Sequence, residues 1–205
     1  MPLIATKGNA GAFAYGFTAG AGEVIGGMVL VTPTSVTKTG TGSTATISAN
    51  GSVTFSSCSS VSLNGIFTTD YDAYMIMARD AGSADSWHMR LRASGTDETT
   101  GYTRAQITVD GISQTAGQSS LGYWQAAIIG YTAVAQNGAS IMMYGPFLAE
   151  PTSARSWSAL ASGSAYLVDR SYIHDASTSY DGLTFTTTTT GVIAGTVSVY
   201  GLVGT

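Results

Sequence analysis

Few side chains in this 205-residue chain are equipped for chemistry, and their spacing decides what they could do. Nucleophilic catalysis needs a base, and the two histidines, His88 and His174, are the only imidazoles on offer. "SYIHDAS" (171–177) places Ser171, His174 and Asp175 close in sequence. Triad members converge in space rather than along one segment, so this spacing matches no triad and His174 reads as a loop residue. Glycoside hydrolysis needs two carboxylates facing across a cleft. The twelve acids stand mostly beside turn residues, as at Asp80, Asp85, Asp97, Glu98, Asp110 and Asp181, where they serve local backbone donors. "DYD" at Asp70–Asp72 offers two hard oxygen ligands, too few to fill a calcium shell, and no EF-hand pattern surrounds them. The reading is therefore not an enzyme, with no catalytic residue, no cofactor and no metal.

Binding chemistry is better represented. "WHMRLRA" alternates, with Trp87, Met89 and Leu91 on one face and His88, Arg90 and Arg92 on the other. Were 87–93 to pair with 102–109, Arg104 would join them in a cationic ridge. Such a ridge binds an acidic or sulfated glycan, or pairs with Asp70, Asp72 or a neighbouring subunit. Ion pairing is preferred, because like charges left opposite each other are destabilising. Tyr123 and Trp124 follow a polar glycine-containing loop and form a candidate glycan or receptor contact. Trp87 and Trp157 alternate with polar neighbours and read as core.

The elements that must carry these residues are strands. From about residue 44 the hydrophobic period is two, in "TATISANGSVTF", "RAQITV", "SIMMYG", "RSWSALA", "AYLVDRSYI", "LTFTT" and "GTVSVYGLV". Asn50-Gly51 is a tight-turn dipeptide between two of them. No stretch of ten or more residues keeps a helical period. This predicts an all-β, antiparallel β-sandwich of jelly-roll type over 44–205. "AYMIMA" (73–78), "AAII" (126–129) and "SIMMYG" are apolar on both faces, so a second covered surface is expected, naturally an intersubunit one. Residues 1–31 are rich in Gly and Ala with spaced aromatics, and are read as an extended docking arm anchored by Phe13, Tyr15 and Phe17. Residues 32–43 are read as a linker.

Composition narrows the partners. Charged residues are 10% of the chain, against roughly 25% in an ordinary domain. Such a weakly self-repelling surface suits a protein packed against copies of itself. A net charge of −4, with Lys7 and Lys38 the only lysines, argues against nucleic acid. Cys58 stands alone, so no intrachain disulfide is possible. No run approaches the ~18 apolar residues of a membrane span, so no membrane insertion is expected. No signal peptide is recognised, and synthesis in a cytoplasm is expected.

Taken in order, Ile66, Phe67, Thr68, Tyr71 and Tyr74, then Leu91 and Arg92, then Gly95 and Tyr102, then Tyr200, Gly201 and Leu202 resemble a module of tailed-bacteriophage tail fibres and minor tail proteins. The resemblance covers 44–205. It implies a β-sandwich head, often the trimeric distal domain of a fibre, without a catalytic motif. The function it implies is that of a structural virion protein, a short tail fibre or baseplate appendage. It would dock on other virion proteins through residues 1–31, form a homotrimer and contribute to adhesion on host-surface glycan. A capsid decoration or head-fibre protein is the alternative, and a carbohydrate-binding module the second.

Overall fold

The computed structural model describes residues 27–83, 86–109, 114–128, 137–161, 165–187 and 190–203. Among these residues there are strands and turns but no helix. The strands are β1 (Gly27–Val31), β2 (Ser35–Thr39), β3 (Thr44–Ile47), β4 (Val53–Cys58), β5 (Ser60–Asn64), β6 (Ala73–Asp80), β7 (Trp87–Ala93) and β8 (Thr96–Asp97). They continue as β9 (Tyr102–Val109), β10 (Gln114–Leu121), β11 (Trp124–Ile128), β12 (Gly138–Tyr144), β13 (Thr152–Ala161), β14 (Ala165–His174), β15 (Gly182–Thr186) and β16 (Ile193–Val203).

All pairings are antiparallel and fall into two sheets. The larger has ten strands in the order β10-β9-β14-β13-β12-β6-β16-β4-β3, with β1 also on β16. The smaller has six, in the order β11-β7-β15-β5-β2, with β8 on β7. Within them β4-β16-β6-β12 face β5-β15-β7-β11. Chain order crosses between these two halves as a jelly roll requires, so the predicted fold class holds. The hairpins β9–β10 and β13–β14 are insertions that widen the larger sheet beyond β12.

Alternation builds the core. Tyr74, Ile76 and Ala78 of β6, Ile141 and Met143 of β12, and Val197 and Val199 of β16 point inward. They meet Trp87, Met89 and Leu91 of β7 and Leu183 and Phe185 of β15. Phe55 and Phe185 pack on Trp87 with centroids at 5.0 and 5.6 Å. One residue, Ser59, separates β4 from β5, so the chain turns a sharp corner between the sheets. The pairing of β4 with β16 slips by one residue there, and Ser57 takes φ 53°, a bulge that lets the strand turn.

The sequence reading is corrected at its N-terminal boundary. Residues 27–31, assigned to the arm, form β1 against the second half of β16, and β4 pairs the first half. Residues 32–43, assigned to a linker, contain β2, paired with β5. Their Thr and Ser content signalled flexibility, but Thr and Val equally suit an edge strand with one exposed face. The proposed anchors Phe13, Tyr15 and Phe17 lie outside the described residues.

The stretch 66–74 closes one end of the sandwich. Ile66 and Phe67 are buried, and the Phe67 ring meets Tyr74 edge-on at 4.8 Å. The Tyr74 hydroxyl donates to the Thr68 carbonyl (3.0 Å) and accepts from the Thr68 amide (2.7 Å), fixing the bend. Asp70 accepts from the Thr68 hydroxyl at 3.2 Å, so it serves the turn rather than an arginine. Tyr71 lies directly over Gly201 of β16, where any Cβ would collide with the ring.

Candidate functional site

The four-residue cationic ridge does not assemble. His88, Arg90 and Arg92 do share a face of β7, but the neighbours of β7 are β15, β11 and the short β8. Arg104 belongs to β9, which pairs with β14 and β10 in the opposite sheet. The ridge required 87–93 to pair with 102–109; instead β9 crosses to the larger sheet, where it forms a hairpin with β10.

Each member has a local role. Arg92 is largely buried at the centre of a polar cluster on the outer face of the smaller sheet. Its Nε donates to Asn64 Oδ1 (3.1 Å), and one Nη donates to Ser62 Oγ (3.1 Å), Thr184 Oγ1 (3.0 Å) and the Asp97 carboxylate. The other Nη donates to the Gly95 carbonyl. The expected ion pair therefore exists, but with Asp97 on β8, directly opposite Arg92, and not with Asp70 or Asp72. Arg90 Nε donates to the Gly122 carbonyl at 3.1 Å, with its guanidinium 5.9 Å from the Tyr123 ring centroid. Tyr123 is in turn edge-on to His88 at 4.7 Å. This tyrosine is half-buried in a stack rather than projecting.

Trp124, proposed as a glycan contact, is fully buried. Its Nε1 donates to the Ile173 carbonyl at 3.1 Å, and its ring lies 5.5 Å from both Tyr102 and Tyr172. It pins the smaller sheet to the inserted strands, and a sugar ring has no access to it. His174 is no loop residue either. It ends β14, buried between Tyr102 and Tyr180, with Nε2 at 2.9 Å from the Thr100 carbonyl and Nδ1 at 3.1 Å from the Tyr180 hydroxyl. Burial pushes its pKa down, partly offset by the Thr100 carbonyl. Ser171 is exposed on the other face of β14 and Asp175 is exposed beyond its end, so these three residues cannot act as a triad. Among the described residues no group of three or more His, Cys, Asp or Glu could hold a metal ion.

The feature with most reach is a surface, the outer face of the larger sheet. Cross-strand register places its side chains in rows. Leu30, Tyr200, Met75, Met142 and Arg155 form one row. Met28, Leu202, Ala73, Tyr144, Ser153 and Ile173 form the next. Met77, Ser140, Trp157, Asp169 and Ile107 form a third. Met77, Tyr144, Trp157, Ile173 and Ile107 are 36–54% exposed. The Arg155–Asp169 pair lies within this face, and the Arg155 guanidinium sits 4.9 Å from the Trp157 ring centroid.

Trp157 was read as core, and its outward position is a correction. Its neighbours Ser156 and Ser158 are the buried ones. A tryptophan between two serines was assigned inward on hydrophobicity, whereas in β13 the polarity is reversed. The doubly apolar segments at 73–78 and 140–145 place Met75, Met77, Met142 and Tyr144 on the outer face of the sheet. The third segment, 126–129, has side chains outside the described set.

No family model, curated protein or solved structure matches this chain.

Proposed function

We propose that this chain is a structural, adhesive component of a tailed-bacteriophage virion, and that its jelly-roll head assembles with copies of itself, as a trimer, through the outer face of the larger sheet. One observation carries the self-association: three adjacent rows of Met, Tyr, Leu, Ile and Trp on a sheet face open to solvent in the single chain. From β1 to β9 the face spans six strand spacings of ~4.8 Å and about five residues of ~3.4 Å, on the order of 500 Å². That area, which includes Ser140, Ser153, Arg155 and Asp169, is comparable with the largest patches an ordinary monomer exposes, which are often functional.

A second copy is the occupant best suited to it. The charged pair within these rows, Arg155 and Asp169, is already neutralised, and the one further cation at their edge is Arg79 among the described residues of β6, so the rows themselves carry no net charge to select an unlike partner. The low overall charge reduces the repulsion between copies. The outer face of the smaller sheet is polar by contrast, with Ser62, Thr184, Asn64, Arg90 and Arg92. An assembly built on the larger sheet would leave that polar face pointing away from its axis. Adhesion would then come from repetition of weak contacts around the axis. The virion assignment rests on the ordered motifs from Ile66 to Leu202.

Light scattering on the full chain tests the assembly, with a trimer expected. Met77→Lys with Trp157→Lys should yield a folded monomer with unchanged far-ultraviolet circular dichroism. A monomeric wild type at tens of micromolar would refute the interface. Removing residues 1–26 should leave a folded trimer that no longer joins virions. Normal incorporation of that variant would refute the docking role.

A further inference from the structure

The strands β13, β14 and β9 that widen the larger sheet are inverted at several positions, although Ala154, Val168, Tyr172 and Tyr102 still face inward. Trp157, Ile173 and Ile107 face solvent, while Ser156, Ser158, Arg170, Gln106 and Arg104 occupy the inward positions. Arg170 is only 4% exposed. It lies opposite Gln106 on β9 and Ser156 on β13, and Arg104 is opposite Tyr172 one step along the same face. The two guanidinium groups are therefore diagonal neighbours on one interior surface.

Their hydrogen bonding is incomplete. Arg170 Nε donates to Gln106 Oε1 at 3.2 Å. The buried Arg170 Nη1, Arg104 Nε and Ser158 Oγ find no hydrogen-bond partner. The ion pairs among the described residues are Arg92–Asp97 and Arg155–Asp169, so neither interior arginine is neutralised there. Burial pushes the Arg170 pKa down from its usual value; the hydrogen-bonded Tyr172 side chain opposes this, and the nearby Arg104 charge adds to it. Both groups still remain cationic, because a guanidinium does not lose its proton in a protein.

We infer that this interior face is a binding site for a small oxyanion, with Arg170 and Arg104 as its donors. A single sulfate, phosphate or sugar carboxylate group meets the requirements of both. It supplies the negative charge that two adjacent arginines need, and it accepts several N–H bonds at once. Water would satisfy the donors but leave the like charges opposed. Arg170, only 4% exposed, lies beyond the reach of a polyanion backbone. The site does not depend on the virion assignment.

Calorimetric titration of the full chain tests this, with sodium sulfate, sodium phosphate, glucuronate and glucose at ionic strength held constant by sodium chloride. The expected result is saturable binding of one oxyanion per chain and none of glucose. Sulfate or phosphate binding with silent glucuronate identifies a free inorganic ion as the ligand. Glucuronate binding identifies an acidic sugar. Arg170→Met should abolish the signal, and Arg104→Lys, which keeps the charge but loses the fork, should weaken it at least tenfold. Arg79→Gln, which removes an exposed charge elsewhere, should leave it unchanged. Should Arg170→Met not fold, Arg104→Lys carries the test. Absence of saturable binding by every oxyanion would overturn the site and mean that the arginines are neutralised within the chain. Equal binding by wild type and Arg104→Lys would overturn the assignment of donors.

Discussion

Replacing Arg92 by methionine separates an architectural arginine from a receptor-binding one. Methionine keeps most of the aliphatic stem and removes the guanidinium. The lost interactions are the bonds to Asn64, Ser62, Thr184, Gly95 and Asp97. Breaking a fully buried ion pair costs about 3–5 kcal/mol, because the surviving charge is stranded. Two features reduce that figure. The Arg92 and Asp97 side chains retain 11% and 23% of their exposure, so water still reaches the carboxylate. The Thr184 hydroxyl also continues to donate to Asp97 at 2.6 Å. Ser62 and Thr184 remain bonded to each other at 2.8 Å. A loss of about 2–3 kcal/mol is expected on these grounds. Urea unfolding followed by tryptophan fluorescence reads it, since Trp87 is packed in the core above the opposite face of the same strand. Asp97→Asn and the double variant complete a cycle, and the pair should be coupled by at least about 1 kcal/mol. Self-association should be untouched, because Arg92 lies on the smaller sheet. A loss under about 0.5 kcal/mol with no coupling would place the pair among ordinary surface ion pairs and refute the reasoning.

Two further variants probe the ends of the sandwich. Phe67→Ala removes a buried ring that closes one end against Tyr74, and should cost about 3–5 kcal/mol in the same urea assay. A cost below about 1 kcal/mol would mean that the end is not closed by this ring. His174 has a folded-state pKa held below its ordinary value by burial, so the unfolded chain binds the extra proton first. Its contribution is full above about pH 6.5 and is lost progressively as pH falls towards the folded pKa. Urea midpoints should decline between about pH 7 and 5, and His174→Gln should flatten that decline. An unchanged slope in the variant would assign the decline to other groups. The lowered carboxylates of Asp169 and Glu98 act at lower pH, through their bonds to Arg155 and to the Thr99 amide respectively.

The all-β class was legible because segments such as those of β3, β4 and β7 alternate with a period of two and turn residues separate them. Trp87, Met89 and Leu91 are inward as their alternation required, and Asn50-Gly51 makes the turn between β3 and β4, with Gly51 at φ 83°. Strand pairing was not legible. The ridge required Arg104 to stand beside β7, yet nothing in "RAQITV" states which sheet it enters. Trp124 resembled an exposed platform because a polar loop precedes it, but the strand begins at the indole itself, which turns into the seam between sheets. Trp157 failed for the converse reason. Size and aromaticity place a tryptophan inside on average, and only its partners across the sheet show that β13 presents it outward. The anion-binding face was missed altogether. Its arginines are on different hairpins, 66 positions apart in number, and become neighbours only through the β9–β14 register. The available signal was "LVDRSYIH", in which the positions alternating with Asp169, Ser171 and Ile173 include an arginine.

The reversal of polarity along one continuous sheet links the two proposals. Under β4, β16, β6 and β12 the interior is aliphatic and aromatic, enough to hold the jelly roll closed against β5, β15, β7 and β11. Beyond β12 the same inward face mixes Ser, Arg and Gln with Ala154, Val168, Tyr172 and Tyr102, while the outward face gains Trp157, Ile173 and Ile107 beside Arg155 and Asp169. A hairpin selected for the stability of a lone chain would have the opposite pattern, since burying arginine and exposing isoleucine are both unfavourable. Each half of the inversion is relieved by a different partner. In the proposed assembly a second copy would cover the outward apolar rows, and in the proposed site an oxyanion would neutralise the inward arginines. The two are also coupled, because both faces belong to the same three strands. Fixing β13, β14 and β9 by association of their outer face limits the side-chain and backbone freedom that anion binding must otherwise restrict. Oxyanion affinity should accordingly be weaker in the monomeric Met77→Lys, Trp157→Lys variant than in the assembled wild type, and equal affinity in the two would show that the faces act independently.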